Sequence, residues 1–301
     1  MCGIVGIFSK SPAIGDQLGV HLARMLIHMG DRGPDSAGIA VYRDPLPPGQ
    51  SKLCVHASDA PPDWREVEAR LDAGLGILET RLTGGRHARF VVDADAHVAQ
   101  GWVAEHLPDL QLMSAGREIE IYKEAIAPAE FAVRFAVDDL WGSHALGHTR
   151  MATESRVTTE GSHPFSTGLD LCLVHNGSLS NHNRWRRVLR REGIAIQTAN
   201  DTEVASAYLT WRMREGATLE QALEGCLSDL NGFYTFAVGT ADGFAVLRDP
   251  IACKPAVMAE SDEWVAMASE YRAIAVLPGA DAAEVWEPAP AQVYSWERAR
   301  V

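Results

Sequence analysis

Long apolar runs are absent from this sequence, and so is a secretory leader. No segment approaches the ~18–20 consecutive apolar residues that span a bilayer. The first ten residues, MCGIVGIFSK, have neither the positively charged start nor the longer apolar stretch of a signal peptide. We therefore expect a cytoplasmic protein that has no membrane partner.

Basic residues are scarce relative to acidic ones. The 301 residues include 27 Lys and Arg against 40 Asp and Glu, which gives a formal net charge of −13 at pH 7. An acidic surface is repelled by the phosphates of nucleic acids and by anionic lipids. The charge balance therefore predicts that nucleic acid is not a partner of this protein.

Cysteine pairs with metal-ligand spacing are also absent. The five cysteines are scattered, odd in number and never spaced as C-x-x-C. This pattern is typical of reduced thiols, and it predicts that the chain itself holds no zinc or iron–sulfur site. The five are Cys2, Cys54, Cys172, Cys226 and Cys253.

Strand-like segments occupy both ends of the sequence, and helix-like segments lie between them. Short apolar runs predict strands at residues 4–8, 39–42, 145–148, 171–175, 234–239, 244–248, 255–258 and 264–268. Helical spacing of apolar residues predicts helices at 18–29, 183–192, 202–215 and 219–227. This order favours stacked layers, an α+β fold rather than a doubly wound parallel sheet.

The stretch from about residue 44 to residue 139 differs from the rest. It begins with the proline-rich segment DPLPPGQ, is broken again at Pro61-Pro62 and contains no chemical motif. Its mixed α/β pattern predicts an insertion within a single domain that covers residues 1–301.

The first segment with chemical interest is MCG, where removal of Met1 would expose a cysteine as the N-terminal residue. An N-terminal nucleophile carries its own base, because an α-amine with an ordinary pKa of about 7.7–8.0 can accept the thiol proton. The competing interpretation is that Cys2 is a small apolar residue at the start of a strand.

Three further segments place polar groups at strand ends or at a helix start. Arg150 of GHTR offers a planar fork to a carboxylate, and HNG offers the Asn176 amide and the Gly177 N–H to an oxyanion. NDTE places Asp201 where a helix begins. Each segment has a plainer interpretation, namely a surface ion pair, a hairpin turn and a helix cap. Their order and spacing together favour a catalytic site.

These segments resemble the class II, N-terminal-nucleophile glutamine amidotransferases. MCGIVGIF and DRGPDSAGIA are similar to the start of that family, and GHTRMAT, SHPF, HNGSLSN and NDTE follow in the family's order. GFYTFAV, LRDPIACKP and MASE agree towards the C-terminus. The resemblance covers residues 1–43 and about 140–277. It implies a four-layer αββα sandwich of the N-terminal-nucleophile hydrolase type, with the stretch 44–139 outside it.

The resemblance implies a catalytic role for three residues. Cys2 would be the nucleophile that attacks the side-chain amide of glutamine. The side chain of Asn176 and the backbone N–H of Gly177 would form the oxyanion hole. Ammonia would leave, and water would release glutamate from a thioester on Cys2.

Four more residues would bind the substrate or order the site. Arg32 would order the N-terminal cysteine and its surrounding loop. Arg150 would pair with the α-carboxylate of glutamine, with Thr153 assisting nearby, and Asp201 would take the α-ammonium group.

A synthase domain that could accept the ammonia is not recognisable in the sequence, so we expect a partner. GHTRMATES, VHNGSLSNHNRWRRVLRREGI and NDTEVASAYLTWRMREGATLEQALE are most similar to the separate amidotransferase subunits of N-methylglutamate synthase and of split glutamate-synthase-like systems. This similarity implies a hetero-oligomer with synthase subunits that hold FMN and iron–sulfur clusters, and no cofactor on this chain. The alternatives are a stand-alone amide hydrolase and an inactive scaffold subunit of a synthase complex.

Overall fold

The computed structural model describes residues 2–58, 60–151 and 157–298. The strands are β1 (Gly3–Ser9), β2 (Ser36–Tyr42), β3 (Ser51–Ala57), β4 (Ile77–Thr83), β5 (His87–Val92), β6 (Leu110–Gly116), β7 (Ile119–Glu124), β8 (His144–Arg150), β9 (Leu171–Leu179), β10 (Gly232–Thr240), β11 (Gly243–Arg248), β12 (Val257–Glu260), β13 (Trp264–Ala268), β14 (Glu284–Trp286) and β15 (Val293–Glu297). The helices are α1 (Pro12–Asp16), α2 (Leu18–His28), α3 (Trp64–Leu75), α4 (Ala96–His106), α5 (Pro128–Arg134), α6 (His182–Arg191), α7 (Asp201–Arg214) and α8 (Leu219–Asp229). Short 3-10 turns follow at Val137–Asp139 and Tyr271–Ala273.

Two antiparallel sheets form the centre of the molecule. The larger has the strand order β14-β12-β13-β1-β8-β2-β7, and the smaller has the order β15-β11-β10-β9. In β1, Ile4 and Phe8 face the smaller sheet, where Val174 and Phe244 belong to the same core. The space between the two sheets is therefore a hydrophobic layer, because alternate side chains of a strand point to opposite faces.

Helices cover the outer face of each sheet. Val5 of β1 points away from the smaller sheet and packs in a core with Leu22 of α2 and Phe131 of α5. On the other side, α6, α7 and α8 bury apolar residues such as Leu189 and Tyr208 against β9, β10 and β11. The layers run helix, sheet, sheet, helix, which confirms the predicted α+β fold and its four-layer αββα sandwich.

A third sheet lies outside the sandwich. It has the order β4-β5-β3-β6, and its core joins residues such as Leu53 and Phe90 to Leu71 of α3 and Val103 of α4. We refer to residues 51–116 as the extra unit. It is shorter than the stretch 44–139 that the sequence predicts as one insertion, because β7 pairs with β2 in the larger sheet and α5 packs on α2.

The joint between the extra unit and the sandwich is the turn from β6 to β7. The carboxylate of Asp170 accepts hydrogen bonds from the backbone N–H groups of Arg117 and Glu118, both at 2.8 Å, and of Ile119 at 3.0 Å. A Cβ on Gly116 would lie 2.1 Å from Asp170 Oδ1, so this position has no room for a side chain. Asp170 therefore fixes the direction in which the chain leaves the extra unit.

Among the described residues, no helix combines the length and the apolar composition that crossing a bilayer requires.

Candidate functional site

Cys2 lies at the entrance to β1, the strand in the middle of the larger sheet, and its side chain is partly exposed. Its backbone carbonyl accepts a hydrogen bond from Arg32 Nε at 3.0 Å and another from Asn176 Nδ2 at 3.2 Å. The three residues come from the position just before β1, from the loop before β2 and from β9. The structure therefore brings together three residues that the sequence predicts for one site.

Arg32 also ties the cysteine to the end of β13. Its Nη1 donates to Glu270 Oε1 at 2.5 Å, while Arg272 Nε lies 2.8 Å from the other oxygen of the same carboxylate. The hydrogen bond from Arg32 holds the pKa of the Glu270 carboxyl below its usual range. The neighbouring Gly33 packs so closely on β8 that a Cβ would lie 2.3 Å from the Thr149 carbonyl carbon. Arg32 is thus held between the start of β1 and the start of the chain segment after β13.

A buried histidine orients the Asn176 amide. His148 Nε2 lies 3.2 Å from the carbonyl oxygen of His175 and 3.2 Å from Asn176 Oδ1. A carbonyl only accepts, so Nε2 carries the proton, and Asn176 presents Oδ1 to His148 and Nδ2 towards Cys2. Burial lowers the pKa of His148 to about 3, so this donor is neutral at physiological pH.

Gly177 follows Asn176 in β9 and has a backbone conformation that a side chain would disturb. Its φ is +145°, and a Cβ at this position would lie 2.0 Å from the carbonyl oxygen of Phe233. Asn176 is buried, whereas Gly177 is exposed. Of the two residues predicted to form the oxyanion hole, the first is therefore shielded from solvent and the second is accessible to it.

Arg150 and Asn200, the residue before Asp201, meet at the carbonyl of Gly161. Arg150, the last residue of β8, donates from Nη1 to Gly161 O at 2.8 Å, and Asn200 Nδ2 donates to the same oxygen at 3.1 Å. Asp201 is the first residue of α7, and its Oδ2 accepts from Leu179 N at 2.9 Å. Arg150 is therefore linked through the loop at Gly161 to the start of α7, where Asp201 lies. Thr153 lies outside the described residues.

The side chain of Lys123, in β7, forms hydrogen bonds with the backbone of the loop that contains Gly161. Lys123 Nζ donates to the carbonyl oxygens of Glu160, Ser162 and Pro164 at 3.2, 2.8 and 3.2 Å. Burial lowers the pKa of the Lys123 ammonium to about 7. Sequence reasoning missed this residue, because β7 lies in the stretch that it treats as an insertion.

Two further residues of the site come from quoted motifs to which sequence reasoning gave no role. Ser269 of MASE accepts hydrogen bonds at its Oγ from Ile4 N at 2.9 Å and from Asn176 Nδ2 at 3.0 Å. His163 of SHPF stacks on His148 with ring centroids 4.0 Å apart and contacts Thr202 Oγ1 through Nε2 at 3.1 Å. Both residues support the groups that surround Cys2. The motifs marked these positions, but only the fold shows what they touch.

Comparison with known proteins identifies close relatives of the whole chain. A family model described as the glutamine amidotransferase domain matches residues 148–276. The chain is 54% identical over 299 residues to the glutamine amidotransferase-like protein GlxB of Rhizobium meliloti (strain 1021), which covers 99% of this chain and 98% of that protein. A protein of Methanothermobacter thermautotrophicus whose name also refers to glutamine amidotransferase is 31% identical over 307 residues, covering 99% of this chain and 100% of its own length.

Solved structures agree with the fold. The glutamine phosphoribosylpyrophosphate amidotransferase of B. subtilis, complexed with ADP and GMP, has a TM-score of 0.61 at 19% identity and covers 98% of this chain. This chain spans 49% of that structure's length, and at this identity the likeness concerns the fold alone. Full-length similarity to GlxB and the matched family model together show that the chain belongs to the glutamine amidotransferase family.

Proposed function

We propose that this chain is a glutaminase subunit that hydrolyses glutamine through a thioester on Cys2 and passes the nitrogen to a partner synthase. The observation that supports this most strongly is the meeting of Arg32 Nε and Asn176 Nδ2 at the Cys2 carbonyl, 3.0 and 3.2 Å away. An amide donor close to the nucleophile is the arrangement that stabilises an oxyanion in acyl transfer.

The proposed reaction begins after Met1 is removed. The free α-amine of Cys2 takes the proton from Sγ, and the thiolate attacks the side-chain carbonyl carbon of glutamine. Asn176 Nδ2 and the backbone N–H of Gly177 stabilise the oxyanion of the tetrahedral intermediate. The intermediate collapses with cleavage of the C–N bond, the α-ammonium returns its proton to the leaving nitrogen, and ammonia departs. Water then attacks the thioester, and glutamate leaves.

Recognition of glutamine needs one cation and one anion at its α-carbon. In the proposal, Arg150 pairs with the α-carboxylate and Asp201 with the α-ammonium group, while Thr153 assists the carboxylate contact. Arg32 acts on the nucleophile rather than on the substrate, because its guanidinium is shared between the Cys2 carbonyl and Glu270.

We further propose that the ammonia acceptor lies on a partner of a cytoplasmic hetero-oligomer. Similarity of the longer motifs to the amidotransferase subunits of N-methylglutamate synthase supports partner subunits that carry FMN and iron–sulfur clusters. If a partner also closes the site around Cys2, its addition raises the glutaminase kcat, because closure completes a catalytic constellation. Glutamine hydrolysis with and without co-purified subunits measures this. A chain that purifies alone from its host and is equally active alone contradicts the partner proposal while leaving the glutaminase proposal intact.

Substitution of the cysteines tests the nucleophile. Cys2→Ala is expected to lower glutamine hydrolysis at least about 10³-fold, because no other group can form the thioester. Cys253 is the matched control, since it is the other cysteine that is not buried. Cys253→Ala is expected to keep full activity. A Cys2→Ala protein that hydrolyses glutamine normally would exclude the mechanism and leave an inactive scaffold or a different hydrolase as the explanation.

Covalent labelling gives a second, independent readout. A diazo-ketone analogue of glutamine is expected to add its mass to Cys2. Burial raises the pKa of Cys54 to about 11 and that of Cys172 to about 12, and it also raises the pKa of Cys226. These three thiols hold their protons at neutral pH and are inaccessible, so mass spectrometry of the labelled protein should find them unmodified.

A further inference from the structure

A layer rich in polar side chains, which we call the polar layer, lies between the extra unit and the larger sheet, beside an apolar cluster that includes Cys54, Met113 and Ile121. In β3, Leu53 and Val55 face α3 and α4, so the alternate residues Lys52, Cys54 and His56 face β7. The side chain of Glu120, in β7, is fully buried in this layer. Its Oε1 lies 3.4 Å from Arg43 Nη1 and 3.5 Å from Lys52 Nζ, and its Oε2 lies 3.8 Å from Arg89 Nε. At this end of the layer the buried carboxylate has three cationic partners.

The other end of the layer has a buried carboxylate with a different set of neighbours. Glu124, four residues along β7, lies beside two histidines, His56 and His87. These are direct cross-strand partners in β3 and β5, so both rings lie on the same face of the extra sheet. His56 is 0% exposed, His87 is 2% exposed and Glu124 is 4% exposed. One ligand atom from each of the three residues lies within 4.8 Å of the others.

Three of the four imidazole nitrogens at this end lack the hydrogen-bond partners that buried polar atoms normally have. Neither nitrogen of His56 makes a hydrogen bond with a described residue, and the same holds for His87 Nδ1. Buried donors and acceptors without partners are rare in folded proteins and require an explanation. His87 Nε2 contacts the carbonyl of Lys123 at 3.0 Å. That contact fixes the ring as a metal-ligating histidine is usually fixed, through its second nitrogen.

The two oxygens of Glu124 have different surroundings. Oε1 accepts from Thr159 Oγ1 and from Ala125 N at 3.2 Å, and Arg86 Nη2 lies 3.5 Å from it. Oε2 lies 3.9 Å from His87 Nδ1. A possible fourth ligand, a carboxylate oxygen, is close, because Glu160 Oε1 lies 3.5 Å from His56 Nδ1. Glu160 thus lies beside His56, next to the group formed by the two imidazoles and Glu124.

We propose that His56, His87 and Glu124 bind a divalent transition-metal cation, with zinc as the ion that this set fits best and Glu160 as the fourth ligand. Nitrogen and oxygen ligands about 2.0–2.1 Å from a tetrahedral zinc are separated by roughly 3.4 Å, so small side-chain shifts close the observed spacing.

The residues around the proposed site suggest how the ion could enter and what it would connect. A cavity of about 400 Å³ lies beside the cluster and is lined by Glu124, Glu160, Arg86 and Thr159 among others; Cys2 and Asn176 are not among its lining residues. The ion would join the extra unit, through two strands, to β7 of the sandwich and to the loop that carries Glu160. The proposal departs from the sequence-based prediction that this chain holds no metal, which rested on the cysteines alone.

Zinc binding to the full chain tests the proposal. The protein is prepared with a histidine-free tag, stripped with EDTA, loaded with ZnCl₂ and desalted, and its zinc content is measured by mass spectrometry. The expected result is one zinc per chain, with an increase in Tm on loading. His56→Gln, His87→Gln and Glu124→Gln should each weaken zinc binding more than about 10-fold. The control is His97→Gln, an exposed histidine of α4 in the same extra unit, which should bind zinc normally.

Three outcomes decide the matter. No zinc retained by the wild-type protein would overturn the proposal, as would equal retention by the three variants. X-ray absorption identifies the ligands, because nitrogen and oxygen at about 2.0–2.1 Å support the site, whereas sulfur at about 2.3 Å would place the ion on a cysteine and contradict it. If His56→Gln fails to fold, as circular dichroism would show, the comparison rests on Glu124→Gln, which keeps an oxygen for its hydrogen bonds.

Discussion

The site at Cys2 and the polar layer beneath the extra unit both contain charged side chains. The two regions differ in how far those side chains are exposed to solvent. The side chain of Asp201 is 23% exposed and that of Glu270 is 36% exposed. In the polar layer the side chain of Glu120 is 0% exposed and lies within 4 Å of three cations. A carboxylate that keeps contact with solvent can receive a ligand, whereas a fully enclosed and fully paired one can only connect structural elements.

The energetic consequences differ as well. Removal of one partner from a buried ion pair leaves an uncompensated charge and costs about 3–5 kcal/mol of stability. Removal of a charged side chain that is partly exposed leaves its surroundings solvated and costs little stability. Substitutions in the two regions should therefore separate effects on activity from effects on stability.

The largest effect is expected from the two residues that we propose bind the α-carboxylate and the α-ammonium group of glutamine. Arg150→Ala and Asp201→Ala should each lower kcat/KM for glutamine by about 2–5 kcal/mol, roughly 30- to 5,000-fold, because each leaves a substrate charge unpaired. Steady-state kinetics at fixed pH measures this. Arg65→Ala, on the exposed face of α3 in the extra unit, is the control and should not change kcat/KM. Normal kinetics in Arg150→Ala would show that glutamine is bound elsewhere.

The next effect is expected at the proposed oxyanion hole. Asn176→Ala should lower kcat about 10²–10³-fold with little change in KM, since the amide acts on a charge that develops only in the transition state. Asn183→Ala, an exposed asparagine of α6, should leave both constants unchanged. A loss confined to KM would assign Asn176 to substrate binding instead.

The joint between the two regions gives a stability effect. Asp170→Ala removes the acceptor for three backbone N–H groups and should lower the free energy of unfolding by about 3 kcal/mol. Glutamine hydrolysis well below Tm should be unchanged. Urea unfolding measures the first quantity, with the exposed Asp109→Ala as a control expected to lie within about 0.5 kcal/mol of wild type. Reduced hydrolysis at unchanged stability would mean that the two regions are not separable in this way.

The smallest effect concerns pH. Burial lowers the pKa of His144 and of His148 to about 3, whereas an unfolded histidine has a pKa of about 6.5. Between these values the unfolded state binds more protons, so this stability is complete above about pH 6.5 and is lost as pH falls towards 3. Tm should therefore fall between pH 7 and pH 5.

A single substitution checks the cause of that fall. His144→Phe keeps a ring against Tyr42, where the two rings stack at 4.1 Å, and removes the titrating group. Its Tm should depend less on pH, by about 2–4 °C over this range. His28→Gln, at an exposed position of α2, should keep the wild-type dependence. An unchanged slope in His144→Phe would assign the acid sensitivity to other groups.

The sequence predicted the sandwich well because its strands carry local patterns. The run at 264–268 was predicted with the bounds that β13 has, and the run at 4–8 lies within β1. The predicted strand at 255–258 is displaced from β12, which begins at Val257, since Pro255 cannot donate a ladder hydrogen bond. Such errors at element ends are small because the apolar pattern itself is local.

The pairing of strands that are far apart in the sequence could not be predicted from local patterns. β7 looks like the strands of the extra unit in its local pattern, and only its pairing with β2 assigns it to the sandwich. Similarly, the roles of Ser269 and His148 are visible only in their contacts with Asn176, which lies far from both of them in the sequence. The predicted residues Cys2, Arg32 and Asn176 meet in the structure, but the groups that hold them in place have no local signature.

The contacts made by the two faces of β7 determine which residues can be deleted together with the extra unit. Glu120 and Glu124 point into the polar layer, while Lys123, between them, reaches the carbonyls around Gly161. A truncation that follows the whole stretch 44–139 would delete Lys123 and expose the edge of β2. An excision confined to residues 51–116 would spare that strand and the loop it supports. The extra unit is therefore removable as a module only if the cuts are made on its own side of the Asp170 joint.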